Sequence, residues 1–287
     1  MAKAHTKQIV SLKDERLDID QIDHYRLSFF ISNDSCQIAI KDVRKKRLLL
    51  LEDIEFNKSQ NLIDNLEALH KDHILIAAGF WKEIQVFVRN NKFSLVPNAV
   101  FDRTMLYEYV RLNDEVSVEK DFFHFKQLEE LNLNIAFGYD KRLKDWFQNK
   151  YPKVAIRYYH QSYAFLKSCL NNLKSNAAGS LYLCLFGDNA LVAGFNLQKL
   201  SMYNQFKFKG KDHLIKLTAL SCQQFSTERT KTPLILTGLK AQVDLYRPEL
   251  IKYFKLLETG TRTEDIQIHP IFNELETYEY NELLANL

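Results

Sequence analysis

Residues 181–238 constrain the fold more than any other part of this sequence. In order, the predicted segments are a strand LYLCLF (181–186), the turn Gly187-Asp188-Asn189, a strand ALVAGF (190–195), a strand over 199–207, a helix after Gly210 and a strand PLILTG (233–238). Two apolar runs joined by a tight Gly/Asp/Asn turn are typical of a β-hairpin. The pattern therefore predicts an α/β unit that opens with a three-stranded ribbon.

The same order of elements occurs once earlier in the chain. In order, the predicted segments are a strand at 25–31, the turn Ser32-Asn33-Asp34-Ser35, strands at 36–43 and 48–56 joined by Arg44-Lys45-Lys46-Arg47, and a helix with Leu62, Ile63, Leu66 and Leu69 on one face, capped by Asn57 or Ser59. Residue identities hardly agree between the two copies. The repeated pattern predicts a duplicated fold, and a chance match in a generic α/β chain is the alternative.

Length and composition favour two lobes. A chain of 287 residues with 46% hydrophobic side chains is long enough for two cores. We expect an N-terminal arm at 1–24, a first lobe at 25–175 and a second lobe at 176–287, with the short polar stretch 176–179 at the boundary.

Several shorter segments complete the predicted elements. Residues 72–82 are ambiguous between helix and buried strand, and 83–88 with 92–96 are predicted to form a hairpin around Arg89-Asn90-Asn91. The remaining predictions are a helix opened by Pro248, a last strand at 265–268 and a capping helix in the acidic tail 273–287.

Charge and cysteine usage limit the compartment and the partners. A net charge of +3 is too small to indicate a nucleic-acid or membrane partner by itself. The four cysteines (Cys36, Cys169, Cys184 and Cys222) lie far apart, mostly in apolar segments. Their placement is typical of buried thiols in a reducing compartment. With no apolar signal core and no apolar run of spanning length, we expect a cytoplasmic protein without a membrane partner.

The duplicated ribbon-and-helix pattern resembles the actin-like ATPase superfamily, which includes actin, sugar kinases and Hsp70-type chaperones. Several strings are similar to an uncharacterised bacterial domain-of-unknown-function family assigned that fold. These strings are FSLVPNAVF (93–101), YEYVRLN (107–113), NIAFGYDKRLKDWFQNKYP (134–152), YYHQSYAFLKSCL (158–170), and LYLCLF with LILTG. The resemblance implies a two-lobe, ribonuclease H-like duplicated α/β fold, with mixed sheets and helices on their faces.

The resemblance also implies a nucleotide site between the lobes. Phosphates would be held by the first hairpin of each lobe, here Ser32, Asn33 and Asp34 and then Gly187 and Asp188, and adenosine would lie near Gly238. The sequence departs from the superfamily pattern at all three places. The first turn has no glycine and its Asp comes late, Leu185 or Phe186 replaces the expected strand-end carboxylate, and the glycine pair is reduced to Thr237-Gly238-Leu239. Because hydrolysis needs oriented charge around phosphates and metal, these departures indicate a degenerate site without catalytic or metal-ligating residues.

No other constellation predicts an enzyme. The chain has no Gly-x-x-x-x-Gly-Lys, G-x-G-x-x-G or G-x-S-x-G motif. His70 and His73 are better explained as a solvated helix end than as metal ligands, and His160 with Ser162 as a helix-entry pair than as part of a triad.

Basic and aromatic residues leave an RNA-associated role as a weaker alternative. The densest basic run comprises Lys41, Arg44, Lys45, Lys46 and Arg47, with Lys207, Lys209 and Lys211 as a second group. Charged hairpin turns usually serve solubility, and Phe122, Phe123 and Phe125 are more typical of a strand facing a core than of a base-stacking platform.

The sequence therefore leads to three hypotheses. The first is a cytoplasmic, non-hydrolysing member of the actin-like fold that acts through protein contacts and needs no cofactor. The second is a true ATP-binding protein whose Mg²⁺ ligands come from Asp34 and Asp188. The third is an RNA-associated factor that uses Lys45, Lys46 and Arg47.

Overall fold

The structure is a computed structural model that describes residues 7–173, 179–225, 231–262 and 266–287. Two compact units are present. The first comprises Met1–Tyr163, Asp265–Asn273 and Leu287, and the second comprises Ala164–Glu264 and Glu274–Asn286. The predicted boundary at 176–179 falls mostly on residues outside the described ranges, so the predicted lobe limits stay a prediction.

The chain contains runs of consecutive strands separated by helices. The strands are β1 (Lys7–Lys13), β2 (Tyr25–Ile31), β3 (Ser35–Asp42), β4 (Arg47–Glu55), β5 (Glu83–Val88), β6 (Phe93–Pro97), β7 (Asp121–Leu128), β8 (Leu133–Asp140), β9 (Ile156–His160), β10 (Ser180–Phe186), β11 (Asn189–Asn196), β12 (Lys199–Lys207), β13 (Leu234–Gly238) and β14 (Leu257–Thr259). The α-helices are α1 (Leu62–Asp72), α2 (Leu106–Arg111), α3 (Lys141–Lys150), α4 (Gln161–Asn171), α5 (Gly210–Gln224), α6 (Lys240–Leu250) and α7 (Asn281–Leu284).

The first unit is built on a six-stranded mixed sheet in the order β1-β4-β3-β2-β5-β9. Strands β2, β3 and β4 form an antiparallel meander, and β5 and β9 continue the sheet parallel to β2. β5 is buried along its whole length, as expected for a central strand covered on both faces. The predicted N-terminal arm contributes β1, which pairs antiparallel with β4 and adds an edge strand to the sheet.

The second unit repeats this topology. Its sheet has the order β12-β11-β10-β13-β14, with β10, β11 and β12 antiparallel and β13 and β14 parallel to β10. Strand for strand this matches β4-β3-β2-β5-β9 of the first unit, and α1 and α5 follow the two meanders. The predicted duplicated α/β fold is therefore confirmed, although the two copies share few residues.

A separate three-stranded antiparallel sheet, in the order β6-β8-β7, lies in the chain between β5 and β9. This arrangement shows that the hairpin predicted from 83–88 and 92–96 is wrong. Both strands exist, but β5 pairs with β2 and β9 and β6 pairs with β8. The turn at 89–91 transfers the chain from one sheet to another, because β5 gains more burial between two parallel neighbours than beside β6.

Several local predictions also need correction. Asn61, rather than Asn57 or Ser59, caps α1 by accepting the Asp64 amide at 3.0 Å. Residues 73–82 form turns rather than a helix or strand. Pro248 lies inside the last turns of α6 instead of opening a helix.

The predicted C-terminal elements are shorter than expected. Among the described residues of the predicted strand 265–268, only Gln267 forms an isolated bridge, with Arg47. The acidic tail 273–287 contains the end of a 3-10 helix, Pro270–Glu274, and the four-residue helix α7, whose residues are buried. Residues 278–284 are buried, so this part of the tail packs into the protein rather than covering its surface.

Candidate functional site

The turn at the carboxyl end of β2 is closed by its own hydrogen bonds. The Ser32 amide donates to the Ser35 carbonyl at 2.9 Å, and the Ser32 hydroxyl accepts the amides of Asp34 at 3.2 Å and Ser35 at 3.0 Å. Small polar side chains close turns in this way because their oxygens mimic a backbone acceptor. Two of the amides that could face a phosphate therefore already have an acceptor within the turn.

A cavity of about 470 Å³ adjoins this turn within the first unit. Ser32 and Asn33 line it, whereas Asp34 is exposed and lies outside the lining. The structure thus places two of the three predicted residues of this hairpin at one cavity.

A partly buried ion pair also lines the cavity. Lys92 Nζ lies 2.8 and 2.9 Å from the two carboxylate oxygens of Asp121, which also accepts the Ser117 amide at 2.9 Å. The Asp121 side chain is 4% exposed and that of Lys92 is 28% exposed. Asp121 is therefore held by a cation and an amide, and a Mg²⁺ ion would have to compete with both.

A second carboxylate at the cavity, Asp140, is also engaged. It caps α3 by accepting the Arg142 amide at 2.9 Å, and its two oxygens bind the Arg142 guanidinium at 2.5 to 3.1 Å. This contact lowers the pKa of Asp140 below its ordinary value. Asp140 therefore serves as the N-cap of α3.

In the second unit, the corresponding turn connects β10 to β11. Gly187 has φ +57 and open space around its Cα, and both Gly187 and Asp188 are exposed. The Asp188 carbonyl accepts the Phe208 amide at 2.9 Å, and its carboxylate accepts Asn189 Nδ2 at 2.7 Å. This turn is more open to a ligand than the turn at Ser32.

Gly238 ends β13 where that strand lies beside β10. Its φ is +133, and an added Cβ would lie 2.3 Å from the Leu185 carbonyl oxygen. Residues other than glycine rarely adopt this backbone conformation. Backbone geometry alone therefore explains the glycine, which needs no nucleotide to account for it.

His160 and Ser162 are fully buried and stabilise the entry to α4. His160 Nε2 lies 3.1 Å from the Asn90 carbonyl oxygen, and its Nδ1 accepts the Ser162 amide at 3.1 Å. Burial lowers the pKa of His160 to about 3, so the ring is neutral. The helix-entry interpretation is confirmed.

The histidines near the end of α1 are half-buried rather than solvated. His70 packs its ring edge-on against Trp146, with 5.9 Å between ring centroids, and His73 Nε2 lies 2.8 Å from Glu52 Oε2. Each histidine therefore has its own structural partner.

The basic turn and the aromatic strand that suggested RNA binding both have local structural roles. Asp42 accepts the amides of Arg44 at 2.9 Å and Lys45 at 3.0 Å, which closes the turn after β3. Phe125 packs against Phe101 with ring centroids 4.8 Å apart. These contacts favour a solvated hairpin and a half-buried layer of packed aromatic rings over a base-stacking platform.

Sequence reasoning did not find Lys92 and Asp121. They are 29 positions apart, and their pairing depends on the three-stranded sheet, which the hairpin prediction missed. The only signal in the sequence is that each residue lies at the start of a strand. This position does not predict which strands pair or which residues face each other.

Solved structures identify the fold as that of actin-like ATPases. A Bacteroides thetaiotaomicron protein with an actin-like ATPase fold and unknown function is similar at a TM-score of 0.79 and 19% identity, covering 94% of this chain and 98% of that one. The PilM-PilN type IV pilus biogenesis complex is similar at a TM-score of 0.57 and 13% identity, covering 91% and 97%.

A family model described as "Protein of unknown function (DUF3822)" matches residues 14–257, and the chain belongs to this family. No curated protein matches the chain significantly. Across the described residues, no helix has the length and apolar character needed to cross a membrane.

The actin-like fold implies ATP and Mg²⁺, and the first unit does not fit them well. A phosphate needs outward amides and Mg²⁺ needs accessible carboxylate or water oxygens. The Ser32 hydroxyl accepts hydrogen bonds from two amides of the turn. Asp121 is bound to Lys92, and Asp140 is bound to Arg142.

Proposed function

We propose that this chain is a non-hydrolysing member of the actin-like fold that acts through protein contacts. The main support is the closed turn at Ser32, where the hydroxyl takes the amides of Asp34 and Ser35. In this fold the equivalent turn is expected to present its amides to a phosphate. Binding a phosphate here would require breaking both contacts before any new ones form.

The charges at the neighbouring cavity support the same proposal. Asp121 and Asp140 are each bound to a cation, so a catalytic Mg²⁺ would have to compete with Lys92 and Arg142 for their oxygens. A hydrolase in which both acids are neutralised lacks the oriented charge that stabilises phosphoryl transfer.

Exposed apolar side chains support a protein partner. Four of them lie in the segment that precedes β7, where Val100, Met105, Leu112 and Val118 are 66%, 42%, 78% and 62% exposed. Several large exposed apolar side chains within one short segment favour a contact surface there. The PilM neighbour was likewise determined as a complex with another protein, PilN.

The burial of all four cysteines supports a reducing compartment, and we place the protein in the cytoplasm. Burial raises the pKa of Cys36 and Cys169 and keeps both thiols protonated.

Two experiments test the proposal. The first is ATP turnover by the purified chain with Mg²⁺, which we expect to equal the blank. Turnover that disappears in Asp188→Ala would contradict the proposal.

The second experiment places a photo-crosslinking amino acid at Leu112 in cells. We expect a discrete adduct of one partner protein. The control is the same amino acid at the exposed Lys71 on α1, where we expect no such adduct. Equal labelling at both positions would remove the support for a contact surface.

A specific observation favours nucleotide binding as a second candidate. The turn at Gly187 and Asp188 is exposed and retains a glycine with positive φ, as a phosphate-binding turn would. Asp188 would then be a candidate Mg²⁺ ligand, and the turnover experiment with Asp188→Ala distinguishes the two candidates.

A further inference from the structure

A second cavity in the first unit, of about 320 Å³, is lined by residues of β7, β8, α3 and β9. Its charges differ from those of the cavity at Ser32. Lys126, Lys144 and Arg157 line it, and none of its described lining residues is acidic. The cavity therefore has a positive rim.

Two buried tyrosines form part of the wall. The rings of Tyr139 and Tyr158 stack with centroids 4.8 Å apart, and the residues are 2% and 8% exposed. Neither hydroxyl has a hydrogen-bond partner in the described part of the chain. Because an unsatisfied buried hydroxyl is costly, a pair of them at one cavity indicates a missing acceptor.

The two hydroxyls can act only as protonated groups near neutral pH. Burial raises the pKa of both Tyr139 and Tyr158 well above the ordinary value. The charge of Asp145, an exposed residue outside the lining, raises the pKa of Tyr158 further. Each phenol therefore keeps its proton and can act as a hydrogen-bond donor.

The lysines lie over aromatic rings. Lys144 Nζ is 4.2 Å from the centroid of Phe122, and Lys126 Nζ is 5.2 Å from that of Tyr159. Among the described residues no carboxylate is within ion-pair distance of either lysine, whereas Arg157 lies 3.6 Å from Glu83. Within the described ranges, the cavity thus combines flat apolar walls with two cations that lack an anion.

We propose that this cavity binds a small anion with a flat aromatic body, such as an aromatic carboxylate or an aryl phosphate. The rings would cover the body of the ligand, and the lysines and phenols would bind its anionic oxygens. A volume near 300 Å³ is at the lower end of ordinary ligand pockets. The site belongs to the first unit alone and does not depend on the function proposed above.

Isothermal titration calorimetry of the full chain with 1-naphthyl phosphate and 2-naphthoate tests the proposal. We expect saturable binding of at least one of them. Two control compounds separate the parts of the recognition: 2-naphthalenemethanol lacks the charge, and inorganic phosphate lacks the ring. Each control should bind about tenfold more weakly or not at all.

Variants locate the binding in this cavity. Tyr139→Phe and Tyr158→Phe should each lower the affinity about fivefold to tenfold while leaving the melting temperature unchanged or higher, because each removes a hydroxyl that has no partner among the described residues. Lys144→Gln should lower the affinity to a similar degree. The matched control is Tyr151→Phe, whose hydroxyl donates to the Ile76 carbonyl at 2.6 Å, so it should lose stability and keep the affinity.

Two results would overturn the proposal. One is the absence of binding heat for both naphthyl anions with the folded chain. The other is equal affinity for them in Tyr139→Phe, Tyr158→Phe and Tyr151→Phe, because binding would then occur elsewhere.

Discussion

Ser32 and Ser35 hold each other across the first hairpin turn. The Ser32 amide donates to the Ser35 carbonyl at 2.9 Å, and the Ser35 amide donates to the Ser32 hydroxyl at 3.0 Å. This reciprocal pair fixes the turn without a ligand. It occupies the place where a nucleotide-binding actin-like protein would be expected to use its amides.

Removal of the Ser32 hydroxyl should therefore weaken the fold. We expect Ser32→Ala to lower the free energy of unfolding by about 1 kcal/mol, because the amides of Asp34 and Ser35 lose their acceptor. Urea denaturation measures the change. Asn33→Ala, at an exposed position in the same turn, is the control and should stay within about 0.5 kcal/mol of the parent chain.

The ion pair of Lys92 and Asp121 should be structural. Lys92→Met leaves a carboxylate that is 4% exposed without its cation, and we expect a loss of about 3 kcal/mol in the free energy of unfolding. The double variant that carries both Lys92→Met and Asp121→Asn should recover part of that loss. Lys120→Met, at an exposed position beside the same cavity, is the control, and an equal loss there would argue against the ion pair as the cause.

Gly238 should tolerate no side chain. We expect Gly238→Ala to lower the free energy of unfolding by more than about 2 kcal/mol, since the new Cβ would lie 2.3 Å from the Leu185 oxygen at a φ of +133. Gly79→Ala is the control, because a Cβ added at Gly79 would meet no other atom within 4 Å. Thermal unfolding compares the stability of the Gly238→Ala and Gly79→Ala variants. A stable Gly238→Ala chain would show that β10 and β13 can separate locally.

His160 should make stability depend on pH. Burial lowers its pKa from 6.5 to about 3 in the folded chain, so the unfolded chain binds the proton first as the pH falls. The stabilisation that the neutral His160 provides is complete above pH 6.5. It is lost as the pH falls from 6.5 to about 3, at up to about 1.4 kcal/mol per pH unit. Urea unfolding between pH 7 and pH 5 gives the free energy of unfolding of the parent chain and of His160→Asn. The slope of this free energy against pH should be smaller for the variant. Equal slopes would mean that His160 does not titrate as described.

Much of the fold could be predicted from the sequence, because alternating apolar runs and turn residues are local signals. The turns at Ser32 and Gly187 marked both meanders. Strand pairing is not local, and so Arg89-Asn90-Asn91 was mistaken for a hairpin turn although β5 pairs with strands more than fifty residues away.

The candidate site was less accessible from sequence for a related reason. The side chains of Lys92 and Asp121 meet only because β6 and β7 flank β8 in one sheet, and Tyr139 and Tyr158 meet across two sheets. No spacing rule connects such residues. The predicted roles of Ser32, Asn33, Asp34, Gly187, Asp188 and Gly238 toward a nucleotide stay predictions, whereas their conformations are now described.

Thermal unfolding of the purified chain with and without millimolar Mg-ATP tests the central claim most directly. A ligand at about 100 times its Kd stabilises a protein by about 2.7 kcal/mol, which corresponds to a shift of several degrees in Tm. The closed turn at Ser32 predicts no Mg²⁺-dependent shift, and the same melting curve for Asp34→Ala and Asp188→Ala with and without nucleotide. A clear shift that requires Mg²⁺ and disappears in Asp188→Ala would contradict the account and establish a working nucleotide site.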